Sequence, residues 1–556
     1  MTESFVSAPL DLLLTQATVG TARGFLPGRS GLHLLAAMAS RPRRVAHRAA
    51  SLAAEVTRIV AGASEVAPSS RDKRFADPAW TGNPALRRIV QVYLAAGTAA
   101  EGLVQDLPLD RRDAQRIQFL TANLIEALAP SNSPLLSPVA WKAFIDTGGG
   151  SAITGIRQLI DDLSGEPYIP SMVDQSAFRV GVDLGVTPGA VVLRTPMFEL
   201  IHYRPQTETV RAAPLLIVPP TINKFYVLDL APGRSLIEYL VRQGQQVFLV
   251  SWRNPDARHS KWGFEAYTGA LSEALGAVDE ITGHGATHVL AACSGGLLAA
   301  MAAARGAAMG YDGLASLSLL VTMIDQARDD AFGAMIDERT AAAATAKSRR
   351  MGYLDGKQLA RVFAWLRPGD LVWNYWVNNY LQGRTPPAFD ILFWNADTTR
   401  MTAKLHHEFI DAAIGNKLAK PGGVTVGGTE IDLKTVTVDS YVVAGSADHI
   451  CPWENCYRSS RLLGGKVRFV LSTNGHIAAL VNPPGNRKSS YRVGDDTSLD
   501  PGEWQRTAIT EEGSWWPDYA RWLADRSGAL KPAPTALGSV EHRPLESAPG
   551  SYVLDK

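Results

Sequence analysis

The stretch His288-Val-Leu-Ala-Ala-Cys-Ser-Gly-Gly-Leu-Leu-Ala-Ala300 decides the reading of this chain. An apolar strand runs into a turn of small residues and then into an Ala/Leu helix. This is the pattern of a nucleophile elbow, small-x-nucleophile-x-Gly. Small residues are needed because strand and helix pack closely on both sides of a strained turn. The turn pushes one side chain into a site and places it at a helix N-terminus, where the dipole favours an anion. A thiolate gains directly from that position. Two frames fit the pattern: Ala291-Ala-Cys293-Ser-Gly295 and Ala292-Cys-Ser294-Gly-Gly296. Neither begins with glycine, and a buried inert thiol competes as a reading of Cys293.

Outward from the elbow, short apolar runs alternate with helical patterns. Pro214–Pro220, Gln246–Trp252, His288–Ala292, Leu314–Val321, Thr437–Ala444 and Val467–Leu471 read as strands, most of them covered on both faces. Gly189–Tyr203 alternates apolar and polar residues, as a half-buried strand or hairpin does. Helical patterns at Ser235–Gln243, Gly263–Thr282 and Gly295–Ala308 separate several of these runs. The alternation predicts a mainly parallel sheet with helices on both faces. The aromatic-rich stretch 324–434 interrupts the rhythm and reads as a cap, or lid, over the C-terminal strand ends. Its aromatics include Trp365, Trp373, Trp376, Tyr380, Phe393 and Trp394.

Two more residues complete a catalytic order. Val442-Val-Ala-Gly-Ser-Ala-Asp448 puts an acid just past a strand end, and Val467–Asn474 leads to Gly475-His476 in the next loop. Nucleophile, acid, histidine is the chain order of α/β-hydrolases. In this reading His476 takes the nucleophile's proton and Asp448 holds the imidazole tautomer. His449 adjoins Asp448 and reads as local support. An oxyanion hole needs two N–H donors: the Ser294 backbone is one, and Ile222, in the loop Thr221-Ile222-Asn223, is the other. Asn223 is a second supporting candidate.

The fold class expected is therefore α/β, an α/β-hydrolase fold with a cap insertion. A mainly helical N-terminal domain, residues 1–180, precedes the catalytic domain, residues 181–556. Leu32 to Gly62 reads as Ala/Leu/Arg helices carrying Arg41, Arg43, Arg44, Arg48 and Arg58 on the polar face. That face suits an ordinary surface helix pair or a basic amphipathic contact with a polymer-like surface. The tail from Gly528 reads as an extended arm.

Bulk properties narrow the function classes. The chain has 556 residues, a net charge of +1 and 20% charged residues, so no overall field favours nucleic acid. Three cysteines are too few for a disulfide framework, and Cys451 and Cys456 have no second pair at zinc-ligand spacing. Met1 to Gly20 lacks the layout of a secretory signal, and no apolar run is long enough for a transmembrane helix. A reduced cytoplasmic setting is the expectation.

Longer stretches carry a family resemblance. They are Arg74-Phe-Ala-Asp-Pro-Ala-Trp80, Pro219-Pro-Thr-Ile-Asn-Lys-Phe-Tyr-Val-Leu-Asp-Leu230, Ser251-Trp-Arg-Asn-Pro255, Ala292-Cys-Ser-Gly-Gly296, Asn374-Tyr-Trp-Val-Asn-Asn-Tyr380, Phe393-Trp-Asn-Ala-Asp-Thr-Thr399, Ala447-Asp-His-Ile450, Gly475-His-Ile477 and Asn482-Pro-Pro484. From about residue 70 to the end the chain resembles the polyhydroxyalkanoate (PHA) synthases, or poly(3-hydroxyalkanoate) polymerases, most closely the class II, medium-chain-length members. The resemblance implies Cys293 as nucleophile, with Asp448 and His476 as its partners. It implies growth of a polyester from (R)-3-hydroxyacyl-CoA with release of CoA, through acyl-Cys293 intermediates and without a metal or other cofactor. It also implies a homodimer, a growing polyester chain as partner, and a cytoplasmic place at the PHA granule surface. Ala291 departs from the family's first box glycine, and the stretch before Arg71 departs more. Two rivals remain: a thioesterase or depolymerase on the same fold, and a non-catalytic granule-associated protein.

Overall fold

The computed structural model describes Leu14, residues 28–326 and residues 338–556. The reading of Met1 to Gly20 lies outside the described residues, Leu14 apart. Helices fill the first part of the described chain, among them Gly28–Ser40, Pro42–Val60, Pro84–Asp106, Arg111–Ala127, Pro138–Asp146 and Gly150–Ser164. The central sheet begins only at Gly189.

Eleven strands form that sheet. In chain order they are β1 (Gly189–Arg194), β2 (Phe198–Tyr203), β3 (Leu215–Val218), β4 (Val247–Trp252), β5 (Thr287–Ala292), β6 (Leu314–Leu320), β7 (Ser440–Gly445), β8 (Val467–Ser472), β9 (Ser490–Gly494), β10 (Ile509–Glu512) and β11 (Glu546–Ser547). Their spatial order is β10-β9-β8-β7-β6-β5-β3-β4-β2-β1-β11. The stretch from β4 to β8 is parallel throughout. The flanking strands are antiparallel. β1 and β2 form the hairpin expected over 189–203.

The pleat sorts side chains into two cores. Val289 and Ala291 of β5 belong to one apolar cluster, and Leu290 and Ala292 to the other. Leu216 and Val218 of β3 divide from Leu215 and Ile217 in the same way. With period two and helices on both faces, an inner strand has no polar side to show. That is why these runs are continuously apolar in sequence.

The stretch read as a cap is the chain between β6 and β7, which are neighbours in the sheet. Its aromatics divide into two groups. Trp365, Trp373, Trp376 and Tyr380 stack edge to face in series. They meet the N-terminal helices: Trp376 Nε1 donates to the Asn132 carbonyl, and the Tyr380 hydroxyl donates to Asp162 at 2.7 Å. A Cβ on Gly155 would stand 2.0 Å from the Tyr380 carbonyl oxygen, so only glycine lets helix Gly150–Ser164 approach so closely. Phe393 and Trp394 instead join the apolar cluster that contains Cys293.

Two segments differ from their sequence reading. The tail from Gly528 is extended, but it is also built into the fold. Leu530–Pro532 pairs with Thr209–Arg211, and β11 closes the sheet edge beside β1. Buried Lys224 holds the end of this tail by donating to the Val553 and Asp555 carbonyls. The basic face of helix Pro42–Val60 is partly neutralised, since Arg48 pairs with Asp106 and Arg58 with Glu55.

Candidate active site

Cys293 sits between β5 and helix Ser294–Ala308 with φ 52° and ψ −122°. A non-glycine residue held at positive φ is strained, and such strain collects at functional turns. Close packing enforces the bend. A Cβ on Gly295 would lie 2.3 Å from the Pro219 carbonyl oxygen, and one on Gly296 would lie 2.0 Å from Thr322 Oγ1. The Cys293 N–H donates to the Leu320 carbonyl of β6 at 2.9 Å. Ala291, the departure from a glycine box, is an ordinary strand residue paired with Val218 and Leu319. No unusual backbone is required there, so alanine fits.

The two frames of the elbow place their side chains differently. The Ser294 hydroxyl is fully buried, accepts the Thr221 N–H at 3.0 Å and bonds the Thr221 hydroxyl at 3.1 Å. It ties the elbow to the loop after β3. The Cys293 side chain is buried in the apolar cluster on the other side, and its thiol's acidity is governed by Cys451, burial and His476. Position in the turn thus separates two adjacent residues that the pattern treats alike.

The acid lies on the loop after β7, and the histidine opens the short helix His476–Leu480 that follows β8. The segments after the two strands are bound together: Ser446 N–H donates to the Ser472 carbonyl and Ala447 N–H to the Asn474 carbonyl. The bare Cα of Gly445 permits this approach, because a Cβ there would lie 2.5 Å from the Asn474 carbonyl oxygen. His476 Nδ1 bonds Asp448 Oδ2 at 2.7 Å. Asp448 Oδ1 accepts the N–H groups of Ile450 and Cys451 at 2.8 and 2.9 Å. The carboxylate is fixed in place, and the imidazole's Nε2 is left for the thiol.

The electrostatics follow from burial and contact. Burial opposes charge on His476, but the Asp448 carboxylate and the Cys293 sulfur outweigh it and hold the imidazole up, to about 10. The Cys451 contact and burial push the Cys293 thiol well above its usual range, and His476 pulls it back. The closed site therefore stores a neutral thiol beside an imidazole that readily carries charge. His449 is held down, to about 4, by burial, and feels Asp448, His476 and the cap residue Arg367.

Ile222 is buried in the loop after β3, and Asn223 follows it at φ 62°. Among the described residues, neither the Ile222 nor the Ser294 backbone N–H donates a hydrogen bond. A cavity of about 710 Å³ opens between helices Phe264–Thr282 and Ser294–Ala308, lined by residues such as Leu271, Ala299 and Leu317, and none of the triad lines it. Cys293 itself is only 9% exposed.

Sequence reasoning missed Cys451, which stands three residues past Asp448 on the same loop, and that spacing was the available signal. Thr221 was read only as part of the loop with Ile222; its bond to the Ser294 hydroxyl, 73 residues away, gave no signal.

A family model described as Poly-beta-hydroxybutyrate polymerase (PhaC) N-terminus matches residues 71–240, and the alpha/beta hydrolase fold matches residues 214–483. The chain is 46% identical over 518 residues to Poly(3-hydroxyalkanoate) polymerase 2 of Ectopseudomonas oleovorans, covering 93% of this chain and 92% of that one. It is 40% identical over 506 residues to Poly(3-hydroxyalkanoate) polymerase subunit PhaC of Cupriavidus necator, covering 89% of this chain and 85% of that one. A monoacylglycerol lipase from Paleococcus ferrophilus is a structural neighbour at 13% identity and TM-score 0.31, covering 58% of this chain and 99% of that one. With an α/β-hydrolase sheet, a helical N-terminal region and relatives this similar over nine-tenths of its length, the chain belongs to the poly(3-hydroxyalkanoate) polymerases, a family of acyltransferase-type enzymes, and is most like its class II members.

Proposed function

We propose that this chain polymerises (R)-3-hydroxyacyl-CoA into polyhydroxyalkanoate and releases CoA, with Cys293 carrying the acyl group. The observation that carries the reading is the Cys293–His476–Asp448 arrangement at the elbow of a chain from this family. Cys293 gives its thiol proton to His476 and its sulfur attacks the thioester carbonyl, while the Ile222 and Ser294 N–H groups receive the oxyanion. CoA leaves with the proton that His476 holds. A hydroxyl from a monomer or chain end then attacks the acyl-cysteine and passes its proton to His476, whose tautomer Asp448 fixes. Thioester exchange between two sulfurs is nearly balanced, which suits a thiol better than a hydroxyl. Phe393, Trp394 and their neighbours keep water out, so transfer outruns hydrolysis. His449 and Asn223 support the two loops. No cofactor enters these steps.

The cytoplasmic granule surface is the proposed location, with the growing polyester and a second copy of the chain as partners. One face of helix Gly150–Ser164 supports it. Ile153, Ile156, Ile160 and Leu163 lie on that face and are 58–66% exposed, beside exposed Trp141, Phe144 and Ile145. Such a row of exposed aliphatic side chains suits an apolar polymer surface. Among the described residues, no helix is long and apolar enough to cross a membrane.

The test supplies purified protein with (R)-3-hydroxyacyl-CoAs of short to medium chain length and measures CoA release and insoluble polymer. The expected result is stoichiometric CoA and polymer, lost in Cys293→Ala and retained in Ser294→Ala. Free hydroxy acid in place of polymer would make the chain a thioesterase. Activity surviving Cys293→Ala would leave a granule-binding role or another nucleophile.

A further inference from the structure

The cavity of about 710 Å³ between helices Phe264–Thr282 and Ser294–Ala308 has no task in the reaction above. It lies on the other face of the sheet from the nucleophile. Leu216 of β3, Val289 of β5 and Leu317 of β6 form its floor and belong to one apolar cluster, whereas Cys293 belongs to the second. Leu271, Ala299 and Ala303 line its sides. Two of these are alanines, and their shortness leaves the space open. Its size is that of a site for a small organic molecule, roughly 300–1,000 Å³.

A single cation interrupts this apolar wall. Among the described lining residues Arg305 is the one base and Asp312 the one carboxylate. Arg305 stands in the last turn of helix Ser294–Ala308. Its Nε is buried without a hydrogen-bond partner, and its guanidinium makes no ion pair among the described residues. It packs on the turn at Gly427, where a Cβ would stand 3.0 Å from Nη2. The helix dipole favours a cation at this end of the helix, but that attraction does not satisfy a buried N–H. Leaving such a donor without an acceptor is costly, and a ligand that brings an acceptor recovers the cost. Asp312 is exposed at the rim, where a charge is well solvated and pairing contributes little.

We infer that this cavity binds a medium-chain aliphatic carboxylate, its alkyl chain against the sheet floor and its carboxylate on the Arg305 guanidinium. The planar fork of a guanidinium matches the two oxygens of a carboxylate. The apolar floor and sides match the chain, and each methylene removed from water should tighten binding about fourfold. No covalent bond is made or broken. The inference stands apart from the reading of Cys293, since it concerns the opposite face of the sheet and binding alone.

The test is calorimetric titration of the full-length protein with hexanoate, octanoate and decanoate, and with octanol and octyltrimethylammonium, all below their micelle concentrations. The expected wild-type result is one equivalent of alkanoate, an affinity that rises about fourfold per methylene, and octanoate bound more tightly than octanol or the octyl cation. Arg305→Gln should weaken octanoate at least about tenfold, the loss of a hydrogen bond to a charged group, and leave octanol within about twofold. Ala303→Phe fills the cavity and should weaken octanoate and octanol alike. (R)-3-Hydroxyoctanoate distinguishes the two sources of such a carboxylate. Tighter binding than octanoate makes the hydroxy acid the occupant; equal or weaker binding makes it the plain fatty acid. Wild-type octanoate affinity in Arg305→Gln would overturn the site, as would an octyl cation that binds wild type more tightly than octanoate. Because this readout is binding, it is unaffected by whether Cys293→Ala retains polymer formation.

Discussion

Two helices of equal length handle their apolar residues in opposite ways. Helix Ser294–Ala308 buries every residue from Ser294 to Met301, and most of them are glycine, alanine or leucine. Helix Gly150–Ser164 buries Ser151 and Gly155 and leaves Ile153, Ile156, Ile160 and Leu163 exposed. The first gives up side-chain bulk so that a helix N-terminus can press against the sheet and hold a strained cysteine. The second keeps its bulk and presents it outward, and meets the insertion through Gly155, Gln158 and Asp162. Burial in one place creates a reactive position; exposure in the other creates a surface. The two functions proposed here, acyl transfer and attachment to polymer, divide along that line.

Substitutions on the two helices and their partners sharpen or break this division. The largest effect belongs to the elbow: Cys293→Ala should lower polymer formation at least about 10⁴-fold, the scale of losing a triad nucleophile, measured as CoA release. Asp448→Asn should cost about 10²–10⁴-fold, mostly in kcat, because the tautomer of His476 is lost while the fold stays. On the exposed helix, Ile153→Asp with Ile156→Asp and Ile160→Asp should move the protein from sedimenting granules to the supernatant by about tenfold. Surface changes of this kind alter stability by about 0.5 kcal/mol or less each, so Tm should barely change. A large fall in soluble-substrate activity in that triple variant would break the division. The smallest effect is electrostatic. His476 is held up, to about 10, against an ordinary 6.5. A raised value stabilises the fold fully below pH 6.5 and loses that contribution as pH rises through about 10. The Tm gap between wild type and His476→Gln should therefore be widest near pH 6 and shrink toward pH 10. A gap that widens with pH would mean that Asp448 does not hold the imidazole charged.

Much of the catalytic half was legible because its physics is local. Inner parallel strands must be apolar on both faces, so β3 through β8 stood out as continuous runs. The later strands did not: β10 is Ile-Thr-Glu-Glu with every residue exposed, and β11 is a two-residue edge. Such strands owe their existence to a neighbour with open hydrogen-bonding groups, which leaves no pattern in their own residues. The N-terminal helices were legible as helices, but their Arg-rich face was readable only as free charge. Asp106 and Glu55, which pair with Arg48 and Arg58, became partners through packing.

By itself the sequence determined the elbow, the order Cys293, Asp448, His476, the long insertion between two strands, and the family. These are properties of spacing along the chain and of long matched stretches. Only the tertiary structure decided what each side chain meets. It turned Ser294 toward Thr221 and Cys293 toward His476, although the two are adjacent in one turn. It made Cys451 an influence on the Cys293 thiol, across 157 residues of intervening chain. It sent most cap aromatics toward the N-terminal helices and only a few toward the site. The physical reason is that a contact depends on the direction of a side chain within a packed core, and direction is set by all the elements that close around it at once.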